Sequence, residues 1–141
     1  MFKLEVDKEI DLVFLQASLA PDLFKLIDND REHLSQWMSW VSSTLSVADA
    51  ESFIERTILA FSKEESMACA VEYQGKLAGI AGFGMISKSL KKVEIGYWIA
   101  AHLEGRGIIH RVCEKLIDYA FNGLQIEKVE IRVATENGRS R

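Results

Sequence analysis

The stretch "LEGRGIIHRVCEKL" sets Gly105, Arg106 and Gly107 directly ahead of a run with helical periodicity. Glycine weakens a helix, so two of them at a helix mouth ask for a reason. The first turn of a helix carries backbone N–H groups without internal partners, and the helix dipole adds positive potential there. Glycines leave that backbone bare to a diphosphate, and Arg106 and Arg111 bring charge. The plain alternative is an ordinary strand-to-helix turn. Among anion-binding loops, the Walker type needs Gly-Lys-Ser/Thr, which the chain does not contain. The dinucleotide type needs a third glycine and a place early in the domain, whereas this unit follows a hairpin. The diphosphate of coenzyme A remains.

A second group of candidates sits just upstream. "KKVEIGYWIA" alternates, with Val93, Ile95, Tyr97 and Ile99 on one face and Glu94, Gly96 and Trp98 on the other. Gly96 leaves room for a substrate beside Glu94, which suits Glu94 as a base, directly or through water. The other reading of Glu94 is a structural carboxylate paired with a neighbour such as Arg132. Trp98 is open between core and pocket wall. In "REHLSQWMSW", Trp37 and Trp40 with His33 either line an acceptor groove or belong to the core. His33 and His110 read as solvated. Cys69 and Cys113 have neither metal spacing nor a CxxC pattern and read as reduced core thiols. The histidines do not cluster with them, so no metal is expected.

These groups need elements to position them. "FKLEV" and "DLVFLQ" predict two short strands, and Pro21 falls where a helix tolerates it, in the first turn. "REHLSQWMSW" predicts a second helical piece. Ser46 and Asp49 have capping-box spacing ahead of a helix to about Phe61, with Phe53, Ile54, Thr57, Ile58 and Phe61 as its stripe. "SMACAVEY" and "KLAGIAGFGMI" flank Gln74-Gly75, a hairpin connector. After the glycine loop comes the strongest pattern in the chain, with Ile108, Ile109, Val112, Cys113, Leu116, Ile117, Ala120 and Phe121 on one stripe and Asn122-Gly123 as C-cap. "KVEIRVA" closes a strand–helix–strand unit over residues 93–133, which makes its two strands parallel with a right-handed crossover.

Composition bounds the rest. The chain has 141 residues, 48% hydrophobic and 27% charged, with a formal net charge of −4. One domain, residues 1–141, is expected. No basic excess exists to neutralise phosphates, so no nucleic-acid partner is expected. No apolar run reaches the roughly 18 residues of a membrane span, and the first ten residues show no secretory signal, which implies a cytoplasmic location.

"VEIGYWIAAHLEGRGIIHRVCEKLIDYAF" resembles the coenzyme A-binding segment of the GNAT N-acetyltransferases, within the branch that contains the ribosomal-protein N-terminal acetyltransferases. The branch pattern appears in order: Glu94-Ile95-Gly96-Tyr97-Trp98, Gly105-Arg106-Gly107, then Asn137 and Ser140 in N-x-x-S spacing. "REHLSQWMSW" is similar to its substrate-side segment. Glu104 and Ile109 stand where the wider superfamily loop carries Gln or Arg and Gly or Ala.

The resemblance implies an α/β (α+β) GNAT fold, a mixed sheet with parallel strands splayed around a coenzyme A site. It also implies direct transfer of an acetyl group from acetyl-CoA to a primary amine. Backbone amides of Arg106, Gly107, Ile108 and Ile109 would hold the diphosphate. A backbone N–H near Trp98, Ile99 and Ala100 would face the thioester oxygen. Asn137 would anchor the pantetheine arm and Ser140 would protonate the departing thiolate. Family members continue past N-x-x-S with a helix and two strands, so an incomplete acceptor wall and pairing with another copy are expected.

Amine chemistry favours a protein N-terminus over a lysine, and the resemblance implies one such as that of a ribosomal protein. A free α-amine has a pKa of about 7.7–8.0 and lysine about 10.4, a handicap for lysine of about 3.5 kcal/mol near neutral pH. The alternatives are a non-catalytic coenzyme A-binding module, or an acetyltransferase for a small amine such as a polyamine or aminoglycoside, to which Asp28, Asp30 and Glu32 would be complementary.

Overall fold

The computed structural model describes residues 3–36 and 38–131, with Ser39 described by its backbone alone. The sequence-derived roles of Trp37, Asn137 and Ser140, and the pairing of Glu94 with Arg132, lie outside those residues. The described chain forms one six-stranded sheet in the order β1 (Lys3–Glu5), β2 (Ile10–Phe14), β3 (Met67–Tyr73), β4 (Lys76–Ser87), β5 (Lys92–Ile99) and β6 (Lys128–Ile131). Neighbouring strands are antiparallel except β5 and β6, which are parallel with Ile95 opposite Ile131. The helix α1 (Ala20–Asn29), α2 (Arg31–Ser35) and α3 (Val47–Ser62) lie between β2 and β3, and α4 (Ile108–Asp118) joins β5 to β6.

Alternation along the strands builds two apolar layers. Leu12, Val71, Ala81, Phe83, Val93 and Ile95 face Ile108, Val112 and Leu116 of α4. Val13, Ala70, Ile80 and Trp98 face Leu23 and Ile27 of α1 and Ile54 of α3. The β5–α4–β6 unit pairs in parallel as predicted, although Phe121 at the end of the expected stripe is 44% exposed; Gln74 and Gly75 turn the β3–β4 hairpin with φ of +52° and +81°, the left-handed pair such a turn needs. Two register shifts bend β4, one between Val71 and Glu72 of its partner and one between Phe83 and Met85.

Local chemistry sets the helix ends. Ser46 Oγ accepts the N–H of Asp49 at 3.2 Å, and Asp49 Oδ2 accepts the N–H of Leu45 at 2.9 Å. The α3 stripe differs from expectation in its second half: Ala50 and Ile54 are buried, but Ile58 is 38% and Phe61 41% exposed. Phe61 meets Phe14 of β2 edge-on, with ring centroids 4.9 Å apart. Asn122-Gly123 does not form the expected left-handed cap. The chain widens into a π turn over Tyr119–Gly123, and the left-handed residue is Gln125, φ +56°. Gly123 is needed for another reason: a Cβ there would meet the Tyr119 ring at 2.9 Å.

Among the described residues no helix is long and apolar enough to cross a membrane.

Candidate active site

The site forms where β5 ends and α4 begins. A 3-10 turn over Ala101–Leu103 leads into the glycine loop. Gly105 has φ +84° and Gly107 +73°, conformations in which an L side chain is strained. Nothing stands within 4 Å of where a Cβ would point at either position. The backbone angles thus require glycine, and the outer side of the loop stays bare. Gly107 caps α4 without help from any side chain. The first closing hydrogen bond of the helix runs from the Arg111 N–H to the Gly107 carbonyl at 3.1 Å. The N–H groups of Ile108, Ile109 and His110 precede that bond and have no partner within the helix.

A groove of about 350 Å³ opens onto this turn. Tyr97 and Ile99 of β5 form one wall, Glu104, Gly105 and Gly107 the loop end, and Ile108, Ile109, His110 and Cys113 the helix side. Burial pushes the thiol of Cys113 up to about 11, as it does that of Cys69. Both are buried free cysteines, as the sequence implies.

At the end of β5 the backbone N–H groups alternate between the two edges of the strand. The Ala100 N–H is spent on the Ala78 carbonyl at 2.9 Å. Backbone polar groups alternate in direction along a strand, so the Ile99 N–H points to the opposite edge, beyond the last described β5–β6 pair. Ile99 alone of residues 98–100 therefore combines a groove-lining side chain with an N–H directed away from β4.

The other face of β5 carries Glu94, Gly96 and Trp98. Gly96 pairs with Gly82 across to β4, and the space above Gly96 is open. Glu94 lies next to Glu130 in the parallel register. Glu130 is engaged by Lys92 at 3.1 Å and Lys128 at 3.5 Å, and Lys92 holds its carboxyl below the ordinary value. The Trp98 side chain is 7% exposed and packs in the cluster opposite the groove, 6.0 Å from Trp40, which stacks on Phe53 at 6.0 Å.

The α1–α2 segment is fastened to the stretch that follows β5. Asp30 Oδ2 accepts the Ala101 N–H at 2.9 Å. His33 Nε2 lies 3.6 Å from Glu104 Oε2, with both side chains largely shielded, so His33 is not the solvated group expected, whereas His110 is exposed beside Glu114. Asp28 is paired with Arg31, whose guanidinium also donates to the carbonyls of Val41 and Thr44 at 2.7 Å each. Arg111, expected to offer charge to the diphosphate, is instead bound to Asp7 and Glu9. Sequence reasoning missed Asp7, Glu9 and the anchoring role of Asp30, because their partners are remote in the chain.

The family model described as "Acetyltransferase (GNAT) domain" matches residues 10–141. YdaF of Bacillus subtilis strain 168, itself a candidate ribosomal N-acetyltransferase, is 32% identical over 145 residues, covering 100% of this chain and 78% of YdaF. The microcin C7 self immunity acetyltransferase MccE, solved in complex with acetyl-CoA and AMP, matches with a TM-score of 0.90 and 26% identity over 97% of this chain and 76% of that one. RimL, the ribosomal L7/L12 alpha-N-protein acetyltransferase, solved in complex with coenzyme A, gives a TM-score of 0.93 at 22% identity over 99% of this chain and 78% of that one, a likeness of fold.

Proposed function

The chain belongs to the GNAT acetyltransferase family, whose reaction draws its acetyl group from acetyl-CoA, and on that premise we propose that the acceptor is a protein N-terminal α-amine. The observation that carries the placement of the co-substrate is the groove itself, which runs from the bare first turn of α4 to Ile99. Its features fit coenzyme A: an anion-ready end at the loop and apolar walls along the arm. In this reading the backbone amides of Arg106, Gly107, Ile108 and Ile109 hold the diphosphate. The Ile99 N–H donates a hydrogen bond to the thioester oxygen as negative charge develops on it.

The amine approaches from the opposite face, through the opening over Gly96. Its nitrogen attacks the thioester carbon, the C–S bond breaks, and the amine proton passes to Glu94, directly or through water. The resemblance assigns protonation of the departing thiolate to Ser140 and anchoring of the pantetheine arm to Asn137. His33 and Trp40 border the acceptor side in this reading, and the resemblance assigns Trp37 to the same role.

Two considerations favour an α-amine over a small polycation. An α-amine needs little help to lose its proton near neutral pH, with a pKa of about 7.7–8.0. Of the three acidic residues that would attract a polyamine, Asp28 is engaged by Arg31 and Asp30 by the Ala101 N–H. Kinship with YdaF supports a ribosomal protein as the bearer of that amine. The test measures thiol release from acetyl-CoA with peptides carrying a free N-terminus, the same peptides blocked at the N-terminus but containing lysine, and a polyamine. Release with free N-termini alone is expected. Coenzyme A binding without release from any acceptor would make the chain a binding module, and release with the polyamine alone would reassign the acceptor.

A further inference from the structure

Arg111 lies one turn into α4, and its side chain faces back toward the loop rather than out to a ligand. Nη1 donates to Asp7 Oδ2 at 2.8 Å and to Glu9 Oε1 at 2.9 Å. Nε donates to the Gly107 carbonyl at 3.3 Å and Nη2 to the Arg106 carbonyl at 3.2 Å. The two carboxylates are themselves fixed. Asp7 Oδ1 accepts the N–H groups of Glu9 and Ile10 at 2.8 and 2.9 Å. Glu9 Oε2 accepts from Tyr73 Oη at 3.3 Å and Gln74 Nε2 at 3.2 Å. The guanidinium therefore connects the glycine loop to the β1–β2 turn and, through Glu9, to the β3–β4 hairpin.

In a planar trans peptide the carbonyl of one residue and the N–H of the next point in opposite directions. Drawing the carbonyls of Arg106 and Gly107 onto one guanidinium turns the N–H groups of Gly107 and Ile108 the other way. The Gly107 carbonyl also takes the helical hydrogen bond from the Arg111 N–H at 3.1 Å, so the guanidinium acts chiefly on the Arg106–Gly107 peptide plane, which lies between two glycines in left-handed conformations. We propose that Arg111 is a positioning residue for coenzyme binding, which aims the loop amides at the diphosphate while Asp7 and Glu9 neutralise its own charge. This rests on the reading of the loop as the diphosphate site. The carboxyl shifts agree with it: Glu9 is held below its ordinary value first by the Arg111 hydrogen bond, and Asp7 first by the Glu9 N–H and also by Arg111.

The test separates aiming from charge. Asp7→Asn keeps Oδ1 for the turn but places an amide against Arg111, and Glu9→Gln does likewise. In the D7N/E9Q protein the guanidinium is freed. If Arg111 served the diphosphate by charge, coenzyme A would bind this variant more tightly. If it aims the loop, the dissociation constant rises, roughly tenfold, as in R111Q and also in R111K, which keeps the charge but lacks the fork. Calorimetry supplies the constants with one site per folded chain. Acetyl-pantetheine, which lacks the diphosphate, serves as the control ligand in the turnover assay, and its KM stays unchanged in all three variants. Tighter coenzyme A binding by D7N/E9Q, wild-type affinity in R111K, or equal losses for both ligands would overturn the inference and leave the loop reading in place. Wild-type protein that does not bind coenzyme A would overturn both.

Discussion

Gly96 and Gly82 face each other across the β4–β5 ladder, and no atom stands within 4 Å of where a Gly96 Cβ would point. Gly96 leaves a gap in the side-chain cover of the sheet between Glu94 and Trp98, whereas at Gly82 a Cβ would clash with the Met67 carbonyl oxygen. Gly96→Leu fills that gap with a side chain that suits a strand, so the fold is retained. The expected outcome is an acceptor KM raised by about tenfold or more, with coenzyme A affinity unchanged. An unchanged acceptor KM would move the acceptor elsewhere.

Glu94 borders the same opening. Glu94→Gln preserves size and hydrogen-bonding reach and removes only the ability to take a proton. Steady-state kinetics should show kcat lower by a factor of about 10²–10⁴, the usual contribution of a positioned base, with the coenzyme A dissociation constant within about twofold of wild type. A kcat near wild type would leave Glu94 as a structural carboxylate.

The thiols give a pH dependence with a defined sign. Cys69 and Cys113 are raised from 9.0 to about 11 by burial. Between those values the unfolded chain has lost its thiol protons while the folded chain retains them, so stability falls as pH rises from 9 to about 11. Urea unfolding of wild type and of the C69A/C113A variant across that range isolates the effect: the variant's stability should decline less steeply. Below pH 9 the two slopes should coincide.

The parts of this architecture with a local period were readable in the sequence. The alternation of Val93, Ile95, Tyr97 and Ile99, the stripe from Ile108 to Leu116 and the glycines between them each encode geometry within a few residues, and all reappear in the β5–α4–β6 unit. What escaped has no local signal. Arg111 meets Asp7 across 104 residues and Asp30 meets Ala101 across 71. A charged residue announces that it will find a partner, but which partner depends on the assembled sheet. For the same reason the second half of the α3 stripe looked like core. Periodicity states which face is apolar, not how much of that face the neighbouring elements cover. The π turn at Tyr119–Gly123 was hidden because Asn-Gly equally suits a left-handed cap.

The central claim is that the first turn of α4 holds the diphosphate of coenzyme A against bare backbone. Calorimetric titration of coenzyme A into wild-type protein and into Gly107→Glu, each verified as folded by circular dichroism, tests it most directly. The substitution sets a carboxylate where the diphosphate would lie, so binding should be seen in the wild type and lost in the variant. Equal affinity in the two folded proteins would contradict the claim.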